Sequence, residues 1–121
     1  MTIVAKASDW NIHPLPEHYK TLKIDILLDE NKSDVIRLGV IPDDMAEKWF
    51  CYFDNNILYQ HRSWSGYCID VIEFVAEGNQ LRAVNAKVNR DASQYTNTDD
   101  AEAVTRITEM LDWLYQQQDW E

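Results

Sequence analysis

The middle of the chain alternates β-favouring runs with short polar stretches, and this pattern predicts four consecutive strands. Apolar, β-branched and aromatic residues dominate the runs, which cover 47–53, 57–62, 67–75 and 81–88. The polar stretches between them, DNN, SWSG and EGNQ, contain residues that tolerate turn dihedrals. Strands that follow one another across such short turns pair antiparallel, so the pattern is typical of a β-meander.

A helical repeat of apolar residues predicts the last element of the chain. The residues that recur at this spacing are Ala103, Ile107, Met110, Leu111, Leu114 and Tyr115. Thr98 or Asp99 is placed to cap the first turn, and the acidic residues that follow suit the positive end of the helix dipole. We predict that this amphipathic helix packs on one face of the meander.

The first third of the chain gives a mixed pattern. Residues 1–16 predict an irregular arm ending in HPLP, and Pro16 suits the first turn of a helix. We therefore predict a helix over 17–30. A helix that runs into a strand stays open as the alternative, because Ile24, Ile26 and Leu28 alternate with polar residues.

Two further elements are predicted before the meander. The run DVIRLGVI, residues 34–41, is rich in β-favouring residues and predicts a strand. Residues 43–48 predict a single helical turn. Together the elements predict an α+β fold: a four- to five-stranded antiparallel meander sheet with the C-terminal amphipathic helix packed on one face. A chain of 121 residues is expected to form one domain, 1–121.

Charge is distributed unevenly along the sequence. The net charge of −10 divides into −3 over residues 1–46, zero over 47–90 and −7 over 91–121. An acidic field repels nucleic-acid phosphates, so nucleic acid is not expected as a partner. The same field attracts a basic protein. The alternative is a solvated helix surface that keeps the protein soluble.

Membrane insertion and disulfide bonding are not expected. No apolar run approaches the about 20 residues that a membrane-spanning helix needs, and the opening MTIVAKASDW is too short and mixed for a secretory leader. We therefore expect a cytoplasmic location without membrane contact. Cys51 and Cys68 form no CxxC pair and are expected to be reduced thiols in the sheet, with a disulfide between them as the alternative.

Hairpin connectivity predicts a polar cluster at one end of the sheet. The second and fourth strands of the meander both end there, and they carry His61, Arg62, Ser63, Trp64, Ser65, Asn89, Arg90 and Asp91. Guanidinium groups bind phosphate or carboxylate, an indole offers a stacking surface, and His61 with Asp91 has the chemistry of a general base. The alternative is that these residues only terminate strands and form turns.

Established catalytic and cofactor motifs do not occur in the sequence. No spacing matches a nucleophile elbow, a P-loop or a dinucleotide fingerprint. The spacings of His13, His18 and His61 do not suit a zinc site, and no cysteine lies close to them in sequence. We therefore predict no metal and no cofactor.

The segments KWFCYF, HRSWSGYCI and NRDASQYTNTDD resemble a small family of bacterial domains without an assigned function. The resemblance covers roughly residues 47–105. It implies an association with ADP-ribose or other nucleotide metabolism, and it carries over no catalytic residue.

Three functional hypotheses follow. The first is a small acidic cytoplasmic binding protein, an inhibitor or immunity-type partner of a basic protein, which binds through Asp112, Asp119 and Glu121. The alternative is a ligand-binding module or small hydrolase that acts at the polar cluster on a phosphate-bearing nucleotide such as ADP-ribose. A third is an oligomeric accessory domain with tryptophans at its interface.

Overall fold

Five antiparallel strands and two α-helices make up the fold, which is described by a computed structural model over residues 4–42, 48–95 and 99–116, with side chains as far as Leu114. In chain order the elements are β1 (Tyr19–Leu27), α1 (Glu30–Leu38), β2 (Trp49–Asp54), β3 (Ile57–Arg62), β4 (Cys68–Glu77), β5 (Gln80–Asn89) and α2 (Asp100–Gln116). The strand order is β1-β5-β4-β3-β2. The predicted α+β fold with an antiparallel meander, β2 to β5, is confirmed.

The short polar stretches form the turns of the meander. Asn55 and Asn56 adopt positive φ angles of 53° and 63°, which allow a two-residue turn between Asp54 and its partner Ile57. Asparagine tolerates this left-handed conformation better than most residues. The turn thereby fixes the register of β2 on β3.

The predicted helix over 17–30 is wrong, because this segment forms strand β1. It pairs antiparallel with β5, from Tyr19 opposite Asn89 to Leu27 opposite Arg82. The alternation of apolar and polar residues decides the conformation: Leu22, Ile24 and Ile26 pack against the core, and the residues between them are exposed. β1 adds the fifth strand beyond the end of the meander.

The predicted strand over 34–41 is also wrong, because most of it belongs to helix α1. Asp29 caps this helix by accepting a hydrogen bond from the Lys32 N–H at 2.8 Å. Val35 and Ile36 are buried in the core. Only Val40 keeps a strand-like contact, an isolated bridge with Cys51. The helical turn predicted over 43–48 lies, except for Lys48, outside the described residues.

Helix α2 covers one face of the sheet, here named the helix face. Asp99 caps the helix by accepting hydrogen bonds from the N–H groups of Ala101 and Glu102. The buried stripe of α2 joins the core side chains of α1 and of the sheet; these helix residues are Ala103, Ile107, Met110, Leu111 and Leu114. The predicted packing of the last helix on one sheet face is confirmed.

The opposite side of the sheet, here named the second face, carries aromatic side chains near one end. Residues alternate between faces along a strand. Cys51 and Leu58 therefore point to the helix face, while Tyr52, Tyr59 and His61 point to the second face. Residues 4–18, here named the N-terminal segment, run along this end and contain one three-residue 3₁₀ turn, Ala7–Asp9. Within the described residues, no helix has the length and apolar character to cross a bilayer.

Candidate functional site

The strand register brings the predicted polar cluster to one end of the sheet. Arg62 pairs with Trp49 at the start of β2, and His61 pairs with Cys68 at the start of β4. Asn89, at the end of β5, pairs with Tyr19. The turn after β3 and the loop after β5 therefore share this end, but their side chains divide between the two faces.

Both arginines of the cluster lie on the helix side and have partners of their own. The Arg62 guanidinium lies 5.3 Å from the centre of the Trp49 ring, and Trp49 packs against the core of the helix face. The guanidinium of Arg90 bonds Asp100 of α2 at 2.6 Å. β4 lies between the strands that carry the two arginines. The described contacts thus join each arginine to a different neighbour.

The serines of the cluster belong to the turn that joins β3 to β4. The N–H of Ser63 donates to the carbonyl of Lys48, and the hydroxyl of Ser65 accepts from the N–H of Tyr67. Gly66 closes the turn with its N–H on the carbonyl of Arg62 at 2.8 Å. Trp64, at the tip, is 73% exposed.

Asn89 and Asp91 organise the loop after β5. The buried Asn89 amide donates to the Cys68 carbonyl at 2.8 Å and to the Gln94 side chain at 3.0 Å. Asp91 accepts hydrogen bonds from the hydroxyl and the N–H of Ser93, which lower the pKa of its carboxyl. These bonds fix the loop that leads towards α2.

His61 lies on the second face, and it is almost completely buried, with 2% of its surface exposed. Its Nδ1 lies 3.0 Å from the carbonyl oxygen of Gly66, which can only accept, so Nδ1 carries the proton. Nε2 is then an acceptor, and it has no partner among the described residues. Burial lowers the pKa of His61 from its ordinary value.

A pocket of about 310 Å³ lies beside His61 on the second face. One wall is formed by residues 12–15 of the N-terminal segment. The sheet supplies the remaining lining side chains, Tyr52, Tyr59, His61, Cys68 and Val71. A bulge in β4 places Cys68 there: Gln60 pairs with Asp70 and His61 pairs with Cys68, so Ile69 is the extra residue.

Three nearly parallel rings line the sheet side of the pocket. Tyr52 stacks on Tyr59 with 4.7 Å between ring centres and 15° between planes, and it stacks on His61 at 5.8 Å and 14°. Burial raises the pKa of Tyr52 to about 12, and burial together with the nearby Asp70 raises the pKa of Cys68 to about 12. The phenol and the thiol are therefore uncharged at neutral pH.

The N-terminal segment is fastened to the β3–β4 turn. The indole N–H of Trp10 donates to the Ser63 carbonyl at 2.9 Å, and its ring stacks on Phe50 at 5.7 Å. The backbone N–H of His13 donates to the Gly66 carbonyl at 2.9 Å. These contacts hold the wall of the pocket in place over His61.

A buried ion pair lies at the same end, on the helix face. Arg106 of α2 binds Asp70 through two nitrogens, at 2.6 and 3.0 Å, and also donates to the Tyr95 hydroxyl. Burial raises the pKa of Asp70, and the hydrogen bonds from Arg106 limit that rise. The neighbouring Gln60 is fully buried, and its amide has no partner among the described residues.

The residues predicted to bind a basic partner are only partly described. Asp112 is exposed on α2 and forms an ion pair with Lys32 of α1 at 2.9 Å. Asp119 and Glu121 lie outside the described residues. The helix layer, here defined as residues 29–38 and 99–116, contains eight acidic and three basic residues. Its acidic excess extends beyond the three residues predicted from the sequence.

Sequence reasoning missed the tyrosines and the N-terminal wall of the pocket. The alternation along β3 places Tyr59 on the same face as His61, so the sequence pattern could have identified Tyr59 as a neighbour of His61. The position of residues 12–15 depends on contacts with the turn after β3, which no local pattern encodes. No group of three or more potential metal ligands occurs among the described residues.

Comparison with known proteins identifies no relative of this chain. Scans against protein-family models, curated proteins and solved structures find no match to this chain.

Proposed function

We propose that this protein is a small-molecule-binding module whose ligand occupies the pocket on the second face. The observation that carries the proposal is the combination of a 310 Å³ pocket with a buried histidine on its wall whose Nε2 has no partner among the described residues. A buried polar atom without a hydrogen bond costs about 1–3 kcal/mol, and natural folds rarely keep one without a reason. The volume is at the lower end of the range of ligand pockets.

The described contacts support binding better than hydrolysis. The hydrolase hypothesis pairs His61 as general base with Asp91, and none of the described hydrogen bonds joins these two residues. Nδ1 of His61 is engaged by Gly66, and the Asp91 carboxylate is engaged by Ser93. These contacts therefore support the hydrolase alternative less than they support ligand binding.

An NMR titration of the ¹⁵N-labelled protein with a fragment library that includes adenosine and ADP-ribose tests the proposal. We expect binders to shift the amide signals of residues 12, 13, 15, 59 and 71. Val71→Phe fills the pocket and should abolish these shifts. Thr21→Phe, at an exposed position on β1 of the same face, should retain them. A library that leaves the pocket amides unmoved, or shifts that survive Val71→Phe, would contradict the proposal.

The charge of the helix layer favours a second candidate function, the cytoplasmic inhibitor or immunity-type partner of a basic protein. Glu102 and Glu109 are exposed on α2, in a layer with eight acidic and three basic residues. Such a surface accelerates association with a basic partner and makes binding sensitive to salt. The candidate needs no ligand in the pocket and can be tested separately.

Binding to lysozyme and cytochrome c, used as basic probe proteins, tests the second candidate by calorimetry at low and raised salt. We expect the double variant Glu102→Lys, Glu109→Lys to bind more weakly than the control Glu17→Lys, Asp54→Lys. The control makes the same change in net charge at exposed positions outside the helix layer. Equal weakening by the two double variants would show that only net charge matters and would overturn the helix layer as a binding surface.

A further inference from the structure

We infer that the ligand of this pocket is an uncharged molecule with a planar aromatic or heteroaromatic ring. The inference rests on the proposed function and specifies the ligand class. It follows from two features of the lining, the absence of charged side chains and the arrangement of the rings.

The lining contains no charged partner for an ionic ligand. None of the nine described residues around the pocket is a lysine, arginine, aspartate or glutamate, in a chain in which 26% of residues are charged. Transfer of a carboxylate, phosphate or ammonium group from water into such surroundings costs free energy that no counter-charge offsets. The pocket therefore selects for uncharged ligands.

The rings of Tyr59, Tyr52 and His61 define a preferred ligand shape. The planes of Tyr59 and His61 are inclined by 15° and 14° to the plane of Tyr52 between them, and the three rings form a short column along the pocket wall. Aromatic rings favour offset-stacked or edge-to-face contacts with another ring, and the aliphatic side chains of Ile12 and Leu15 on the opposite wall suit a flat apolar surface. A planar ring makes more contact here than a puckered saturated ring of similar size.

Three titratable side chains of the lining are consistent with a preference for uncharged ligands. The raised pKa values of Tyr52 and Cys68 and the lowered pKa of His61 keep all three uncharged at neutral pH. The phenol groups of Tyr52 and Tyr59 can hydrogen-bond amide, hydroxyl or ring N–H groups of a ligand.

The same argument restricts how a nucleotide could bind. Arg62 and Arg90 contact Trp49 and Asp100 on the helix side, away from this lining. A nucleoside base meets the requirements of the pocket, while phosphates would have to remain outside it. A phosphate therefore adds no affinity at this site, and adenosine should bind at least as well as ADP-ribose.

Two pairs of nearly isosteric probes test the inference. Indole-3-acetamide and indole-3-acetate differ in charge, and benzamide and cyclohexanecarboxamide differ in aromaticity. We expect the acetate to bind about tenfold or more weakly than the acetamide, and the saturated amide about two- to tenfold more weakly than benzamide. Dissociation constants come from shifts of the pocket amides in the ¹⁵N-labelled protein.

The outcomes separate the inference from the proposed function. If none of the four probes shifts the pocket amides, the proposed function itself is contradicted. If the acetate binds as tightly as the acetamide, or the saturated amide as tightly as benzamide, the pocket binds ligands but the ligand class is wrong. Weaker binding of both disfavoured probes supports the inference.

A matched pair of variants assigns the preference to the ring column. Tyr59→Leu removes one ring from the pocket and should reduce the advantage of benzamide over its saturated analogue. Tyr19→Leu removes an exposed tyrosine that contacts Lys87 on the same face, outside the lining, and should leave that advantage unchanged. An unchanged preference in a folded Tyr59→Leu protein would overturn the role of the column.

Discussion

Among the described residues, Asp70 is the only carboxylate that the fold buries completely. One side chain, that of Arg106, hydrogen-bonds its carboxylate oxygens. Arg106 reaches it from α2 with two hydrogen bonds, and 14% of the arginine side chain is exposed. Ion pairs on the surface contribute little, whereas loss of one partner of a buried pair leaves an uncompensated charge. The pair therefore ties α2 to the end of the sheet.

Replacement of Arg106 by methionine tests this dependence. We expect Arg106→Met to lower the free energy of unfolding by about 3–5 kcal/mol at neutral pH, because Asp70 stays buried without its counter-charge. The control Lys32→Met breaks the exposed pair with Asp112 and should cost no more than about 1 kcal/mol. Urea denaturation measures both, and similar costs for the two variants would contradict the argument.

The buried His61 makes stability depend on pH. Its pKa is lowered in the folded state, so the unfolded chain binds more protons between that lowered pKa and the ordinary value of 6.5. The free energy of unfolding should therefore decrease as the pH falls through this window. His61→Phe should flatten the pH dependence, and the exposed control His18→Phe should preserve it. An identical pH slope in wild type and His61→Phe would refute this assignment.

At the scale of elements, the β3–β4 turn is the part on which the pocket depends. It fixes Gly66, whose φ is 76° and whose carbonyl holds both His61 and the N-terminal segment. An added Cβ at Gly66 would lie 2.3 Å from the carbonyl oxygen of Asn11. The glycine therefore permits both the turn and the close approach of the segment.

Gly66→Ala should destabilise the protein and displace the N-terminal segment. The control is Gly78→Ala, at a similar positive φ of 64° but with no atom within 4 Å of the added Cβ. We expect Gly78→Ala to lower the free energy of unfolding by about 1–2 kcal/mol through backbone strain alone, and Gly66→Ala to lower it by clearly more. Urea denaturation gives the free energies of unfolding, and amide shifts of residues 10–13 and 15 report the displacement. Equal costs with unmoved amides would count against the close approach.

The strands of the meander were predictable because local alternation and turn residues agree with their tertiary partners. The sequence predicts a helix where β1 forms and a strand where most of α1 forms. Pro16 suggests a helix start, but the period-two alternation of Leu22, Ile24 and Ile26 decides the conformation of β1. The capping contact of Asp29 was the overlooked helix signal.

Connectivity predicted which end of the sheet carries the cluster, but not which face. His61 and Arg62 are neighbours in sequence and therefore point to opposite faces. The bulge at Ile69 then brings Cys68 to the face of His61, and a bulge is not encoded in a simple apolar pattern. The pocket therefore could not be predicted from the sequence pattern.

At the scale of the whole molecule, an acidic helix layer lies against one side of the sheet and an uncharged pocket lies on the other. Residues 29–38 and 99–116 contain eight acidic and three basic residues, whereas the described lining of the pocket contains neither kind. The two proposed functions thus use opposite faces. A partner on the helix layer leaves the pocket accessible.

The acidic layer predicts a response of stability to salt. Repulsion within the layer opposes folding and is screened by added ions, so moderate sodium chloride should raise the melting temperature. The variant Glu102→Gln, Glu109→Gln should show a smaller rise, because less repulsion remains to be screened. Thermal unfolding at a series of salt concentrations measures both proteins. A melting temperature that falls with salt in wild type would contradict the prediction.

One carbonyl oxygen, that of Gly66, accepts from the ring of His61 at 3.0 Å and from the backbone of His13 at 2.9 Å. Two donors that share an acceptor are thermodynamically linked, and such linkage is reciprocal. Release of His13 strengthens the remaining bond to the imidazole and changes its proton affinity. Conversely, a proton added to that imidazole alters the equilibrium for release of the segment by the same factor, so acidity and access to the aromatic column are coupled through a single atom.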